Sequence, residues 1–224
     1  MDRTVFAKLN AAYQRVMGDG LKDGFDTLHS HQFSFVPVIG KPGAGKGTAL
    51  ENLSKIYAMN IVTTGDIFRD PDKFGMSKKI VQDVKMLGKY FYVDNKQLVP
   101  DDLTMKVISS ALLHTLRKDQ FVDPYLCFAD VFPRSVGQIE LTEQIGPIRE
   151  VWYFDATDEE CIRRMKHRDT KMNRPDKGQY KERLDEYYAR TAPALDALVN
   201  AGYLVRTIDT TPPPLLVADS LKPY

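Results

Sequence analysis

The residues best suited to chemistry in this chain lie in one short stretch, Gly40-Lys41-Pro42-Gly43-Ala44-Gly45-Lys46-Gly47-Thr48. Closely spaced glycines let a backbone fold back and aim successive N–H groups at a single anion. Lys46 adds a mobile cation for terminal phosphates, and Thr48 a hydroxyl for a phosphate or its magnesium. The stretch follows an apolar run, Phe33 to Ile39, and precedes a helical pattern from Ala49 to Tyr57. Strand, glycine-rich turn and helix is the context a phosphate-binding loop needs, and the helix turns its positive end toward the same anion. The general pattern has Ser or Thr directly after the lysine, whereas here Gly47 intervenes. A nucleotide site is expected at this loop.

Two carboxylates and a set of arginines could complete such a site. Asp66 follows Ile61-Val62 within Thr63-Thr64-Gly65-Asp66-Ile67-Phe68-Arg69, and Asp130 closes the apolar run Tyr125 to Ala129. Ligands of an open parallel sheet bind at the carboxyl ends of its strands, so both acids are candidates for a magnesium shell completed by water. Arg69, Arg134, Arg164, Arg168, Arg174 and Arg183 fall at or near element ends on that side. Arg164 and Arg168 are four apart and share a helix face. Asp101 and Asp102 follow Pro100 and read as first-turn residues of a helix, not as catalysts.

The elements that must position these residues follow from periodicity. Helices are expected over 4–17, 46–57, 76–92, 102–117, 158–168 and 179–201, with a short one over 212–221. Thr157 to Glu160 has the form of a capping box. Strands are expected at 33–39, 61–62, within 121–131, at 151–154 and at 203–208. Residues 18–32 read as a polar, glycine-containing loop. Strands alternating with helices specify an α/β fold: a P-loop NTPase-type parallel sheet with helices on both faces.

The chain has 224 residues and a net charge of +1, with 43% hydrophobic and 27% charged residues. That is the size of one soluble domain, with no whole-chain field suited to nucleic acid. No apolar run reaches membrane-spanning length. Two cysteines without metal-ligand spacing, Cys127 and Cys161, fit a reducing, cytoplasmic setting. Arg3, Lys8 and Arg15 make a mitochondrial presequence the alternative.

Together the motifs resemble the nucleoside monophosphate kinases, and most closely the adenylate kinases. Gly40 to Thr48 is similar to that family's G-x-P-G-x-G-K-G-T loop, which accounts for Gly47. Thr63 to Arg69 resembles S-T-G-D-x-x-R, and Leu98-Val99-Pro100-Asp101-Asp102 resembles L-V-P/T-D-E/D. Asp130 to Gln138 resembles D-G-F-P-R-T-x-x-Q, with Val131 in place of the glycine. Arg164 and Arg168, then Arg174 and Arg183 with Thr191-Ala192-Pro193, are similar to the helices entering and leaving the family's lid. The segment 85–97 looks longer than usual and carries Lys96 where glycine is common.

The resemblance implies reversible phosphoryl transfer from Mg-ATP to AMP. Gly43, Ala44, Gly45, Lys46, Gly47 and Thr48 would hold ATP, with Arg164 beside its base. Thr64, Arg69, Val99, Arg134 and Gln138 would hold AMP. Asp66, Asp130 and Thr48 would organise Mg2+, and Arg168, Arg174 and Arg183 would stabilise the moving phosphoryl with Lys46 and Arg134. It implies a monomer, an N-terminal helical extension over 1–32, and a kinase domain over 33–221. Within that domain it implies a small helical monophosphate-binding insertion at about 63–100 and a short lid at about 168–178. A UMP or CMP acceptor and a catalytically silent regulatory module are the alternatives.

Overall fold

The apolar runs of the sequence become five strands of one parallel sheet: β1 (Ser34–Gly40), β2 (Asn60–Thr63), β3 (Leu126–Asp130), β4 (Val151–Asp155) and β5 (Val205–Asp209). Their order across the sheet is β2-β3-β1-β4-β5, and every pairing is parallel, as β–helix–β crossovers require. The computed structural model describes residues 3–221 apart from 19, 22–23, 96, 131 and 172–177. Val131, Lys96, Arg174 and most of the expected lid therefore lie outside the described residues.

Successive strand residues point to opposite faces of the sheet and feed separate cores. Phe35, Cys127 and Ala129 pack on one face with Leu9, Ala12 and Val16 of α1 (Arg3–Met17). Leu103, Val107 and Ile108 of α6 (Asp101–Arg117) join the same cluster. Val36, Val38, Phe128 and Trp152 pack on the other face. There they meet Leu50 and Leu53 of α3 (Lys46–Ser54) and Cys161 and Met165 of α8 (Asp158–Lys171). Burial on both faces explains why the strands read as continuous apolar runs.

Several helices differ from their sequence patterns. Two short helices, α2 (Phe25–Ser30) and α4 (Thr64–Arg69), are too brief to show a 3.6-residue period, and α2 occupies part of the expected loop. The pattern over 76–92 is α5 (Lys78–Gly88) followed by a wider π-helical turn, Lys89–Asp94. α7 (Val136–Ile145) was not legible as a helix. The long pattern over 179–201 splits into α9 (Tyr180–Glu186), a π-helical turn at Tyr187–Thr191, and α10 (Ala192–Asn200). α11 (Pro214–Ser220) closes the chain's described part. Only half of the capping box forms: the Glu160 N–H donates to Thr157 Oγ1 at 3.3 Å, while the Glu160 carboxylate is taken by Arg163 and Arg164.

α1 does more than cover the core. Arg15 donates from Nε and Nη2 to the two oxygens of Asp83 on α5, at 2.8 and 2.9 Å, and Lys79 reaches the same carboxylate at 3.1 Å. Tyr13 donates to Asp102 at the start of α6 at 2.5 Å. Asp83 is 1% exposed; its burial opposes ionisation, but Arg15 and Lys79 prevail and hold its pKa below the ordinary carboxylate value. Asp83→Ala is therefore expected to lower unfolding free energy by roughly 2 kcal/mol, read from urea titrations at pH 7. A group with a depressed folded pKa stabilises above its unfolded pKa and loses that stability as pH falls through the folded value. The gap between wild type and variant should accordingly shrink in acid. Equal midpoints at pH 7 would refute the contribution.

Candidate active site

The phosphate loop is shaped by glycine where no other residue fits. Gly43 has φ +87°, and a Cβ there would sit 2.4 Å from the carbonyl oxygen of Cys161 on α8. Gly45, at φ +95°, makes the left-handed step into α3. The Ala49 N–H donates to the Gly45 carbonyl at 3.0 Å, so the helix begins directly at the loop, and its first N–H groups and dipole face the loop's concavity.

Lys46 folds back over this loop. Its ammonium donates to the carbonyls of Gly40 at 2.6 Å and Lys41 at 3.0 Å. Burial lowers its pKa to about 8; Arg134 and Arg183 add to the shift, whereas Asp130 and Cys161 oppose it. Lys46, Arg134 and Arg183 line one cleft of about 70 Å³ with Gly40, Pro42 and Tyr187, at the carboxyl end of β1. Residues from three distant stretches thus converge at the mouth of the glycine-rich loop.

Asp130 ends β3 and is 9% exposed. Its Oδ2 lies 3.9 Å from where a Cβ on Gly47 would stand, and its Oδ1 is buried with no hydrogen-bond partner. Burial, with a smaller push from Asp66, raises its pKa, against the pull of Lys46, Arg134 and Arg69. An unpartnered carboxylate oxygen beside the phosphate loop is what a hydrated cation could satisfy. Among the described residues no three of His, Cys, Asp and Glu converge as a metal cage.

Other expected site residues are placed as follows. Asp66 is ion-paired with Arg69 on α4, both more than half exposed. The Arg134 N–H donates to Gln138 Oε1 at 2.9 Å, and Gln138 Nε2 donates to Asp101 Oδ1 at 2.9 Å. Gln138 is 1% exposed, so both ends of its amide are committed to the protein in this state. Thr64 is buried at the start of α4, and Val99 is half-buried, its carbonyl accepting from Thr104. Arg164 lies against the loop: Nη2 donates to the Thr210 carbonyl at 2.6 Å and Nη1 to the Ala44 carbonyl at 3.4 Å. Arg168 is half-buried on α8, and its charge and that of Arg183 both act on Asp169. Thr48 sits exposed in the first turn of α3.

Three features escaped the sequence reading. Lys41, at a variable position of the loop motif, donates to Asp158 at 2.7 Å and to the Ala156 carbonyl at 3.0 Å, and lies 5.5 Å from the Tyr188 ring centroid. Asp101 accepts from Ser135 Oγ at 2.6 Å as well as from Gln138, so it ties α6 to α7. Glu186 stands among the arginines of the cleft. Its one sequence signal is its spacing of three from Arg183, which puts both on one face of α9.

A five-stranded parallel sheet, a phosphate loop after β1 and cations gathered at its mouth define a P-loop nucleotide-binding α/β protein. The family model described as adenylate kinase matches residues 38–203. The adenylate kinase of Phocaeicola vulgatus is 31% identical over 75% of this chain and 85% of its own length. The adenylate kinase of Bacteroides fragilis strain NCTC 9343 is 31% identical over 70% and 80%. Adenylate kinase isoenzyme 1 of Caenorhabditis elegans is 28% identical over 75% and 77%. The chain belongs to the adenylate kinase family.

Proposed function

We propose that this protein is a phosphotransferase that moves the γ-phosphoryl group of Mg-ATP to AMP, reversibly, giving two ADP. The observation that carries this reading is the convergence of Lys46, Arg134 and Arg183 on the cleft beside the phosphate loop, in a chain of this family. In the transfer, an oxygen of the acceptor's phosphate attacks the γ-phosphorus, and the bond to the bridging oxygen of the leaving ADP breaks. No protein nucleophile is needed; positioning and charge neutralisation carry the rate.

Family resemblance, with the positions of the described residues, supports the following roles. The backbone from Gly43 to Thr48 and Lys46 cradle the donor's phosphates. Arg134, with Arg69 swung over from α4, grips the acceptor's phosphate. Arg183, with Arg168 and Arg174, offsets charge on the moving group. Thr64, Val99 and Gln138 form the acceptor's base pocket, and Gln138 would have to present its second N–H once the pocket fills. Arg164, holding Ala44 and Thr210, supports the loop next to the donor's base. The hydroxyl of Thr48 and, through water, Asp130 would hold Mg2+, which supplies charge neutralisation at the donor's phosphates when bound. Asp66, engaged by Arg69, would join only after that pair opens. Residues 63–100 form the monophosphate-binding part and 168–178 the lid, whose closure would keep water from competing as acceptor.

The test is an ADP-production assay with Mg-ATP against AMP, UMP, CMP, GMP and dAMP. AMP is expected to give the highest kcat/KM, by at least about tenfold. A pyrimidine in first place would overturn the base assignment, and no turnover with measurable ATP binding would overturn the enzyme reading.

A further inference from the structure

We propose that Glu186 is a built-in counter-ion for Arg134, held against it before the acceptor's phosphate arrives and displaced when it does. This rests on the reading of Arg134 as a grip on the acceptor. Glu186 ends α9 and is largely covered. Its Oε2 stands 3.8 Å from Arg134 Nη2, close enough for attraction but too far for a hydrogen bond. Its Oε1 is buried without a hydrogen-bond partner, and so is Arg134 Nε. The charged groups that face it are Arg134, Arg183 and Arg190.

The contrast with Asp83 is informative. Where this protein uses a buried carboxylate as structural cement, Arg15 grips it through two bonds below 3 Å. Glu186 has the attraction without the bonds. A cleft that gathers Lys46, Arg134 and Arg183 sets like charges against one another, and Glu186 joins Asp130 in offsetting them. A phosphate dianion brings more charge and more acceptor oxygens, so it wins the arginine fork in competition. Glu186 is then left near a dianion, where it must turn away or take a proton. Burial already pushes its pKa up, against the pull of the arginines, which makes the second route accessible. The consequence is a fixed penalty on acceptor binding: Glu186 acts as a positioning residue that weakens AMP while keeping Arg134 in place.

Glu186→Gln removes the charge and keeps the shape. The KM for AMP is expected to fall about fivefold, with the KM for ATP unchanged within twofold and kcat unchanged or lower. Glu186→Ala should shift the KM for AMP in the same direction, and thermal melting confirms that both variants fold. A merely structural residue would give the reverse, a raised KM and a lower melting temperature. If Arg134→Ala raises the KM for AMP while both Glu186 variants leave it unchanged or higher, the role of Glu186 falls and that of Arg134 stands. A shift confined to ATP would overturn the assignment of Arg134 to the acceptor, and this proposal with it.

Discussion

Lys46→Ala is expected to lower kcat/KM for ATP by about 10²–10³-fold, the usual cost of removing one preorganised donor from a transferring oxyanion. The reason lies in where the ammonium waits. It is bonded to the Gly40 and Lys41 carbonyls at the rim of the loop, so a short swing brings it onto a bound phosphate. The same site makes its charge sensitive to pH. Burial, with Arg134 and Arg183 nearby, lowers its pKa to about 8. Above that pH the free protein has lost the proton that a polyphosphate needs and must recover it on binding. The kcat/KM for ATP is therefore expected to decline as pH rises through 8, approaching tenfold per pH unit. Lys46→Arg, which stays charged at these pH values, should be less active but lack this limb. A wild-type profile flat to pH 9.5 would contradict the role assigned to burial.

Arg183→Ala is expected to reduce kcat by about 10³-fold or more, with much smaller changes in the KM of either nucleotide. Arg183 lines the cleft beside Lys46 and Arg134 and approaches Met165 Sδ at 3.8 Å. Its charge also acts on Lys46, Asp169 and Glu186. A cation placed at the mouth of the phosphate loop is suited to charge that would develop during transfer, and such an interaction appears in kcat. Arg183→Lys should recover only part of the loss, because an ammonium cannot span two phosphoryl oxygens as a guanidinium does. A loss confined to KM, or a fall in kcat below tenfold, would show that Arg183 binds ground states.

The phosphate loop was legible because its chemistry is local. Nine consecutive residues carry the glycines, the lysine and the hydroxyl, and the φ values of +87° and +95° at Gly43 and Gly45 are what that spacing demands. The sheet was legible because burial on both faces leaves runs such as Phe35 to Ile39 without polar interruption, and β3 and β4 follow the same rule. Asp130 could be placed beside the loop because parallel topology carries the ends of neighbouring strands to one edge. The short helices α2 and α4 were hidden by having fewer than two turns. The π-helical turns at 89–94 and 187–191 were hidden because each is a single short turn that continues a longer helical pattern.

By itself, then, the sequence determined the sheet, the loop and the identity of the charged groups that surround it, since each is set by residue type and spacing over a few positions. Only the tertiary structure decided which charge meets which. It gave Asp66 to Arg69, turned Gln138 inward to Asp101, anchored Lys41 on Asp158, joined Arg15 to Asp83 and left Glu186 facing Arg134 without a bond. Most of these pairings are fixed by distances between segments tens of residues apart, and the helical spacing of Asp66 and Arg69 permits their pairing without requiring it. The strength of each depends on how much water the fold removes around it.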